Sequence, residues 1–186
     1  GQVEDDASLM TGAHSVRKNA GLLAAARAAN PDAQLIYKPH PDVEAGLRPG
    51  AVPAEALVGL ADVLVERANA HTVLAQVDEV FTMTSLLGFE ALLRGLKVTT
   101  TGAPFYAGWG LTSDRETCSR RGRSLELDAL VHAALIEYPR YVSRGSGWFI
   151  TPEQAIDELI AWKEAPPPRR TLVQALFRHW GRLRRR

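Results

Sequence analysis

Three short apolar runs, 34–38, 79–83 and 97–101, limit the folds open to this chain more than any other feature. Each is rich in β-branched or aromatic residues and stops abruptly, and segments of helical spacing separate them. Runs this short, bounded by turn signals, read as strands buried on both faces. Strands that alternate with helices imply parallel pairing, because a parallel connection needs a crossover. The expected fold is therefore α/β, a Rossmann-like parallel sheet with helices on both faces. A further strand is expected at 63–65, and helices over 16–29, 53–60, 71–76, 89–94, 125–136 and 152–162. In the first helix Leu22, Leu23, Ala26 and Ala29 share one side, and Asn30-Pro31 ends it. The opening GQVEDDAS reads as a loop leaving a strand that precedes Gly1. With no initiator Met and no signal-peptide pattern, the chain reads as one begun mid-protein. Residues 1–165 are expected to form one domain, and 166–186 a separate basic tail.

In open parallel sheets ligands sit beyond the C-terminal ends of the strands. The unusual loops, 39–50, 84–88 and 102–110, all follow expected strands, so they should gather there. Lys38-Pro39-His40-Pro41 sets a cation and an imidazole at a strand end, between prolines that restrict the backbone. Lys38 can neutralise a phosphate, and His40 can donate to an anion or transfer a proton; a rigid loop with a solvated lysine fits as well. Thr84-Ser85-Leu86-Leu87-Gly88-Phe89-Glu90 is a strand–turn–helix junction. Its hydroxyls and amides suit an anion, Gly88 permits close backbone approach, and Glu90 can accept from ribose hydroxyls. Plain capping by Thr84 or Ser85 explains the same residues. Glu4, Asp5 and Asp6 crowd carboxylates beside Gln2 and Ser8. A solvated loop, a divalent-ion loop and a carboxylate for glycosyl transfer all remain open. The aromatic and glycine-rich stretch 104–110 reads either as a plug on the sheet edge or as a stacking loop.

The single cysteine, Cys118, excludes an internal disulfide and a Cys-based zinc site, and fits a reducing cytoplasm. His14, His71, His132 and His179 lack any H-x-x-x-H spacing, so no metal and no cofactor are expected. No apolar run is long enough to span a bilayer. Residues 166–186 carry seven arginines and no acid, which leaves the rest of the chain acidic. Leu172, Leu176, Trp180 and Leu183 form one helical stripe in that tail, with arginines largely outside it. Such a pattern suits an anionic membrane surface, and equally a helix packed back on the domain.

Together, GQVEDDAS, YKPHPDV, TMTSLLGFEALLRG and GAPFYAGWGLT, in this order, resemble the KpsC-like capsule polysaccharide biosynthesis proteins. The likeness runs from residue 1 to about 155, on the C-terminal of the family's two glycosyltransferase modules. It implies the C-terminal half of a GT-B-like glycosyltransferase with CMP-β-Kdo as donor. It also implies retention of the β configuration and a lipid-borne poly-Kdo linker as acceptor. The family's Q-x-x-x-D-x-S pattern selects Gln2, Asp6 and Ser8, with Asp6 as nucleophile. Its Lys-x-His-Pro pattern selects Lys38 and His40, and its Ser-x-x-Gly-Phe-Glu pattern Ser85, Gly88 and Glu90. Its E-D-G segment, from a preceding Rossmann-like half that completes the cleft, is absent from this chain. No nucleic-acid partner is expected, and the place of action is the cytoplasm, on the inner face of the membrane. The competing readings are a domain for another nucleotide sugar, and a non-catalytic interaction domain whose arginine tail binds lipid or nucleic acid.

Overall fold

The computed structural model describes residues 1–165, so the tail 166–186, with its apolar stripe, lies outside the described residues. The described chain falls into two compact units, Gly1–His132 and one that begins at Ala133.

The first unit opens with α1 (Ala7–Gly12), α2 (Asn19–Ala29), β1 (Ile36–Tyr37), α3 (Pro41–Glu44), α4 (Ala54–Leu57) and β2 (Val63–Leu64). It continues with α5 (Ala70–Leu74), β3 (Glu79–Thr82), α6 (Leu86–Leu92), β4 (Lys97–Thr100), β5 (Ser113–Asp114) and α7 (Leu127–His132). All its strand pairs are parallel: β1 with β2, and β3-β4-β5 in that order. The expected parallel α/β class therefore holds. Val80 and Val98 pair in register at the centre of the larger sheet, both buried. Buried threonines on β4 need partners inside the protein. Thr99 Oγ1 donates to Glu79 (2.6 Å), and Thr100 Oγ1 to Asp114 (3.0 Å) on β5.

The opening segment is not all loop. Asp6 accepts from the Ser8 N–H at 2.8 Å and caps α1, a helix the sequence reading did not foresee. Its Leu9 packs with Ala13, Leu22 and Met83 in one buried cluster. Leu9 and Met83 are almost wholly buried, and side chains of that size contribute about 1.5–3 kcal/mol each when buried. The helix α6 starts at Leu86, three residues before the expected 89, because Ser85 accepts from the Leu87 N–H (3.2 Å).

The second unit begins with a π-helical turn, Ala133–Glu137, where the sequence had suggested an unbroken helix over 125–136. It continues with an antiparallel hairpin of β6 (Tyr141–Val142) and β7 (Phe149–Ile150), which was also not foreseen, and then α8 (Pro152–Glu164), the last element among the described residues. Thr151 and Gln154 form a reciprocal capping box at the start of α8.

Candidate active site

Asn19, fully buried at the start of α2, fixes the opening segment. Its Oδ1 accepts from the Gln2 N–H, and its Nδ2 donates to Gln2 O and Gly50 O, all at 2.8 Å. The Glu4 N–H donates to Pro49 O (3.0 Å), and the Gly1 nitrogen to Lys38 O (2.8 Å). Residues 1–4 are thus held between the end of β1 and the 42–50 loop. Gly50, at φ +134, is required there: a Cβ would meet Asn19 Nδ2 and Gln2 O at 2.9 Å.

The three adjacent acids go to three different places. Glu4 accepts from the Asn19 N–H (2.8 Å) at the head of α2. Asp5 takes Arg48 Nη2 at 2.7 Å. Asp6 Oδ1 accepts both the backbone N–H (2.8 Å) and the hydroxyl (2.6 Å) of Ser8. No group of three or more His, Cys, Asp or Glu side chains among the described residues is arranged to hold a metal ion.

Gln2 joins this segment to the turn after β3, 82 residues away. Its Nε2 donates to Thr84 Oγ1 (2.7 Å) and to Ser8 Oγ (3.3 Å), and its Oε1 accepts from the Thr84 N–H (3.1 Å). The Ser8 and Thr84 hydroxyls lie 3.0 Å apart. Both ends of the Gln2 amide are therefore used, which fixes its orientation. The hydrogen bonds from Ser8, with Arg48 and His40 nearby, hold the Asp6 carboxyl below the ordinary carboxylate range. It is ionised at neutral pH, with Oδ1 engaged by Ser8.

His40 caps α3, its Nδ1 accepting from the Asp42 N–H at 3.1 Å. The neutral ring therefore carries its proton on Nε2. The side chain is 38% exposed, and in its protonated form it is close enough to Asp6 to act on that carboxylate.

Lys38 sits differently from a free phosphate cation. Its Nζ lies 3.1 Å from Pro39 O and 3.3 Å from Glu44 Oε1, in a largely buried pair. Glu44 is held below its ordinary range first by the Arg67 N–H (3.0 Å) and then by Lys38, against the opposing effect of burial.

The strand–turn–helix residues also separate. Thr84 is buried and spent on Gln2 and Ser8, so Ser85, not Thr84, caps α6. Gly88 faces the fully buried Tyr106, whose hydroxyl donates to Ser85 O at 2.5 Å. Close approach at Gly88 is thus to a tyrosine. Glu90 turns to α5, where its Oε2 lies 3.5 Å from His71 Nδ1, and Arg94 Nη2 meets the same nitrogen at 2.9 Å. The structure brings Gln2, Asp6, Ser8, Thr84 and His40 together. It places the Lys38 amine in an internal pair with Glu44, and the Glu90 carboxylate against His71.

The stretch 104–110 is mostly internal packing. Phe105 and Tyr106 meet edge to face at 5.2 Å, Phe89 lies 5.0 Å from Phe105, and Arg121 lies over Trp109 at 5.4 Å. Sequence reasoning singled out the stretch that holds Tyr106 but missed Asn19, Arg48 and the pairing of His71 with Glu90. Of these, Asn19 carried a signal, as an asparagine at the start of an apolar-periodic run, where capping residues are common.

Known proteins resemble this chain in sequence and in fold. The family model for "Capsule polysaccharide biosynthesis protein" matches residues 1–141. The capsule polysaccharide modification protein LipA of Neisseria meningitidis serogroup B is 49% identical over 163 residues, covering 88% of this chain and 23% of LipA. The lipopolysaccharide-processing protein LpsZ of Rhizobium meliloti is 44% identical, over 90% of this chain and 38% of LpsZ. Among solved structures, Thermosulfurimonas dismutans KpsC, beta Kdo 2,7 transferase, superposes with a TM-score of 0.79 at 43% identity, covering 88% of this chain and 52% of that one. The beta Kdo 2,4 transferase of the same KpsC gives 0.73 at 32% identity, over 86% and 50%. The chain thus spans about half of the solved relatives and less of the curated ones. With three-quarters of its residues under that family model and the half-length fold of the KpsC transferases, the chain belongs to the capsule polysaccharide biosynthesis protein family.

Proposed function

We propose that this chain is the donor-binding half of a retaining β-Kdo transferase of capsule polysaccharide biosynthesis. It takes CMP-β-Kdo as donor and extends a lipid-borne poly-Kdo linker. One observation carries the reading: Gln2, Ser8 and Thr84 form a closed hydrogen-bond web that presents an ionised Asp6 beside His40.

In this mechanism Asp6 Oδ2 attacks the anomeric carbon of Kdo, and the bond from that carbon to the phosphate oxygen breaks. CMP leaves with the electron pair. An acceptor hydroxyl then attacks the same carbon, giving its proton to a base, and the bond to Asp6 breaks. Two inversions give net retention. The family resemblance implies that the base is an acid of the preceding half. His40 Nε2–H donates to the departing phosphate, which needs no obligatory protonation. Lys38 adds positive charge once the phosphate competes with Glu44.

Calorimetry on the complete protein tests the donor assignment, with CMP expected to bind and UMP to bind more weakly. Lys38→Ala should weaken CMP binding by about 1–3 kcal/mol, the range for a lost charge-assisted hydrogen bond. The lower end is expected, because the phosphate exchanges one anionic partner of Lys38 for another. Unchanged CMP affinity in a folded Lys38→Ala protein would remove Lys38 from the site.

The tail fits an enzyme that works at the inner face of the cytoplasmic membrane on a lipid-borne acceptor. Each arginine near an anionic surface contributes about 1 kcal/mol, screened by salt. The protein should sediment with phosphatidylglycerol vesicles at low salt, and should stay in solution once residues 169–186 are removed. Equal, salt-insensitive recovery in the supernatant for both forms would leave the tail as a packed helix.

A further inference from the structure

We propose that Arg48 receives the carboxylate of the donor sugar, and that Asp5 occupies its place while the site is empty. The proposal rests on the donor assignment above and concerns a residue outside the motifs that suggested it.

Arg48 is built into position. Its own N–H and that of Leu47 both donate to Asp42 O, at 3.2 and 2.8 Å. The next two residues are tied to the segment that carries Asp5 and Asp6, through Glu4 N–H to Pro49 O (3.0 Å) and Asn19 Nδ2 to Gly50 O (2.8 Å). The guanidinium donates from Nε (3.1 Å) and Nη2 (2.7 Å) to the same oxygen, Asp5 Oδ1. Arg48 also feels Asp42 and Asp6, and Asp6 feels Arg48 in return.

Two donors on one oxygen is not the two-oxygen fork that a guanidinium makes with a well-placed carboxylate. Arg48 and Asp5 are about half exposed, at 42% and 53%, and a pair so exposed is weak and exchangeable. Lys38, the lysine of the Lys-Pro-His-Pro segment, is enclosed with Glu44, and the His40 imidazole is spent on the Asp42 N–H. Arg48 is thus the cation beside Asp6 whose partner a ligand can replace.

The donor needs such a group. Kdo, the sugar for which both solved relatives are named as transferases, carries a carboxylate on its anomeric carbon. When Asp6 approaches that carbon, the sugar carboxylate comes among Asp5, Asp6 and Asp42, and like charges at this range oppose the approach. Arg48 offsets that repulsion. A sugar without a carboxylate has no such requirement, so Arg48 acts in donor selectivity.

The test compares the complete wild-type protein with Arg48→Gln, Arg48→Lys and Asp5→Asn. CMP affinity is measured by calorimetry, and KM and kcat with CMP-Kdo; CMP has the phosphate but not the sugar carboxylate. Arg48→Gln should leave CMP affinity within about twofold while raising KM for CMP-Kdo about tenfold or more, as for loss of a charge-assisted hydrogen bond. Arg48→Lys should recover part of that loss, and Asp5→Asn should leave KM unchanged or lower it. A purely structural ion pair predicts instead that Arg48→Gln and Asp5→Asn raise KM alike, and that result would overturn the proposal. An unchanged KM in Arg48→Gln, or an equal loss for CMP and CMP-Kdo, would do the same. Failure of the wild-type protein to bind CMP would overturn the donor assignment itself, before any variant is compared.

Discussion

Asp6→Asn in the complete protein is expected to reduce Kdo transfer by about 10⁴-fold or more, as for loss of a covalent nucleophile. That factor corresponds to about 5 kcal/mol of transition-state stabilisation. Asparagine is the informative replacement because Asp6 has two tasks. Its Oδ1 caps α1 and takes both Ser8 hydrogen bonds, and an asparagine oxygen can accept the same bonds. The fold and CMP binding should therefore survive, and only the nucleophilic oxygen and the charge are lost. Asp5→Asn should remain active, because its exposed pair with Arg48 contributes little to stability. An inactive Asp5→Asn beside an active Asp6→Asn would show that the neighbouring acid is the nucleophile.

The same site makes a statement about pH. The largest cause of the lowered Asp6 pKa is the Ser8 hydroxyl, followed by the Ser8 N–H. A depressed carboxyl stabilises the folded state above its unfolded pKa, and this contribution is lost as pH falls through the folded value. The acid limb of kcat/KM should accordingly lie below the ordinary carboxylate range. Ser8→Ala should move it upward.

The strands were legible because buried parallel strands are short apolar runs, and 79–83 and 97–101 differ from β3 and β4 only at their ends. Helix α1 was not legible. Six residues, ASLMTG, hold too few apolar positions to set a period, and the acids before them look like a solvated loop. The hairpin β6–β7 was passed over because each strand has only two paired residues. For the site, the motif likeness named Gln2, Asp6, Ser8, Lys38, His40, Ser85, Gly88 and Glu90. It could not show that Gln2 reaches Thr84, since a contact across 82 residues exists only once the fold forms. The Lys38–Glu44 pair was hidden for another reason. Six residues with a short helix between them match no regular side-chain spacing, so Lys38 read as free when it is neutralised inside the protein.

Gly88→Ala should destabilise the protein, although glycine to alanine inside a helix ordinarily stabilises by roughly 0.5–1 kcal/mol. The added Cβ would lie 2.2 Å from Tyr106 Oη, 2.7 Å from its Cζ and 3.0 Å from Thr82 Cγ2. Tyr106 cannot easily withdraw. It is wholly buried, stacked against Phe89 at 6.3 Å, set edge-on to Phe105 at 5.2 Å, and bound through its hydroxyl to Ser85 O. Forcing an extra carbon into a filled core typically costs about 1–3 kcal/mol, which outweighs the gain in helix propensity. The thermal midpoint should fall by about 2–4 °C for each kcal/mol lost, the range for a chain of this size. Because the nearest clash is with the hydroxyl, Tyr106→Phe should relieve part of it. The double variant should therefore be less destabilised than the sum of the single changes, as contacting residues couple. Tyr106→Phe alone removes one of two donors to Ser85 O, which keeps the Gly88 N–H at 3.1 Å, so the fold should tolerate it. A Gly88→Ala protein as stable as its parent would mean that α6 and Tyr106 are not packed this closely. Strict additivity with Tyr106→Phe would mean that the cost of Gly88→Ala does not arise at the hydroxyl.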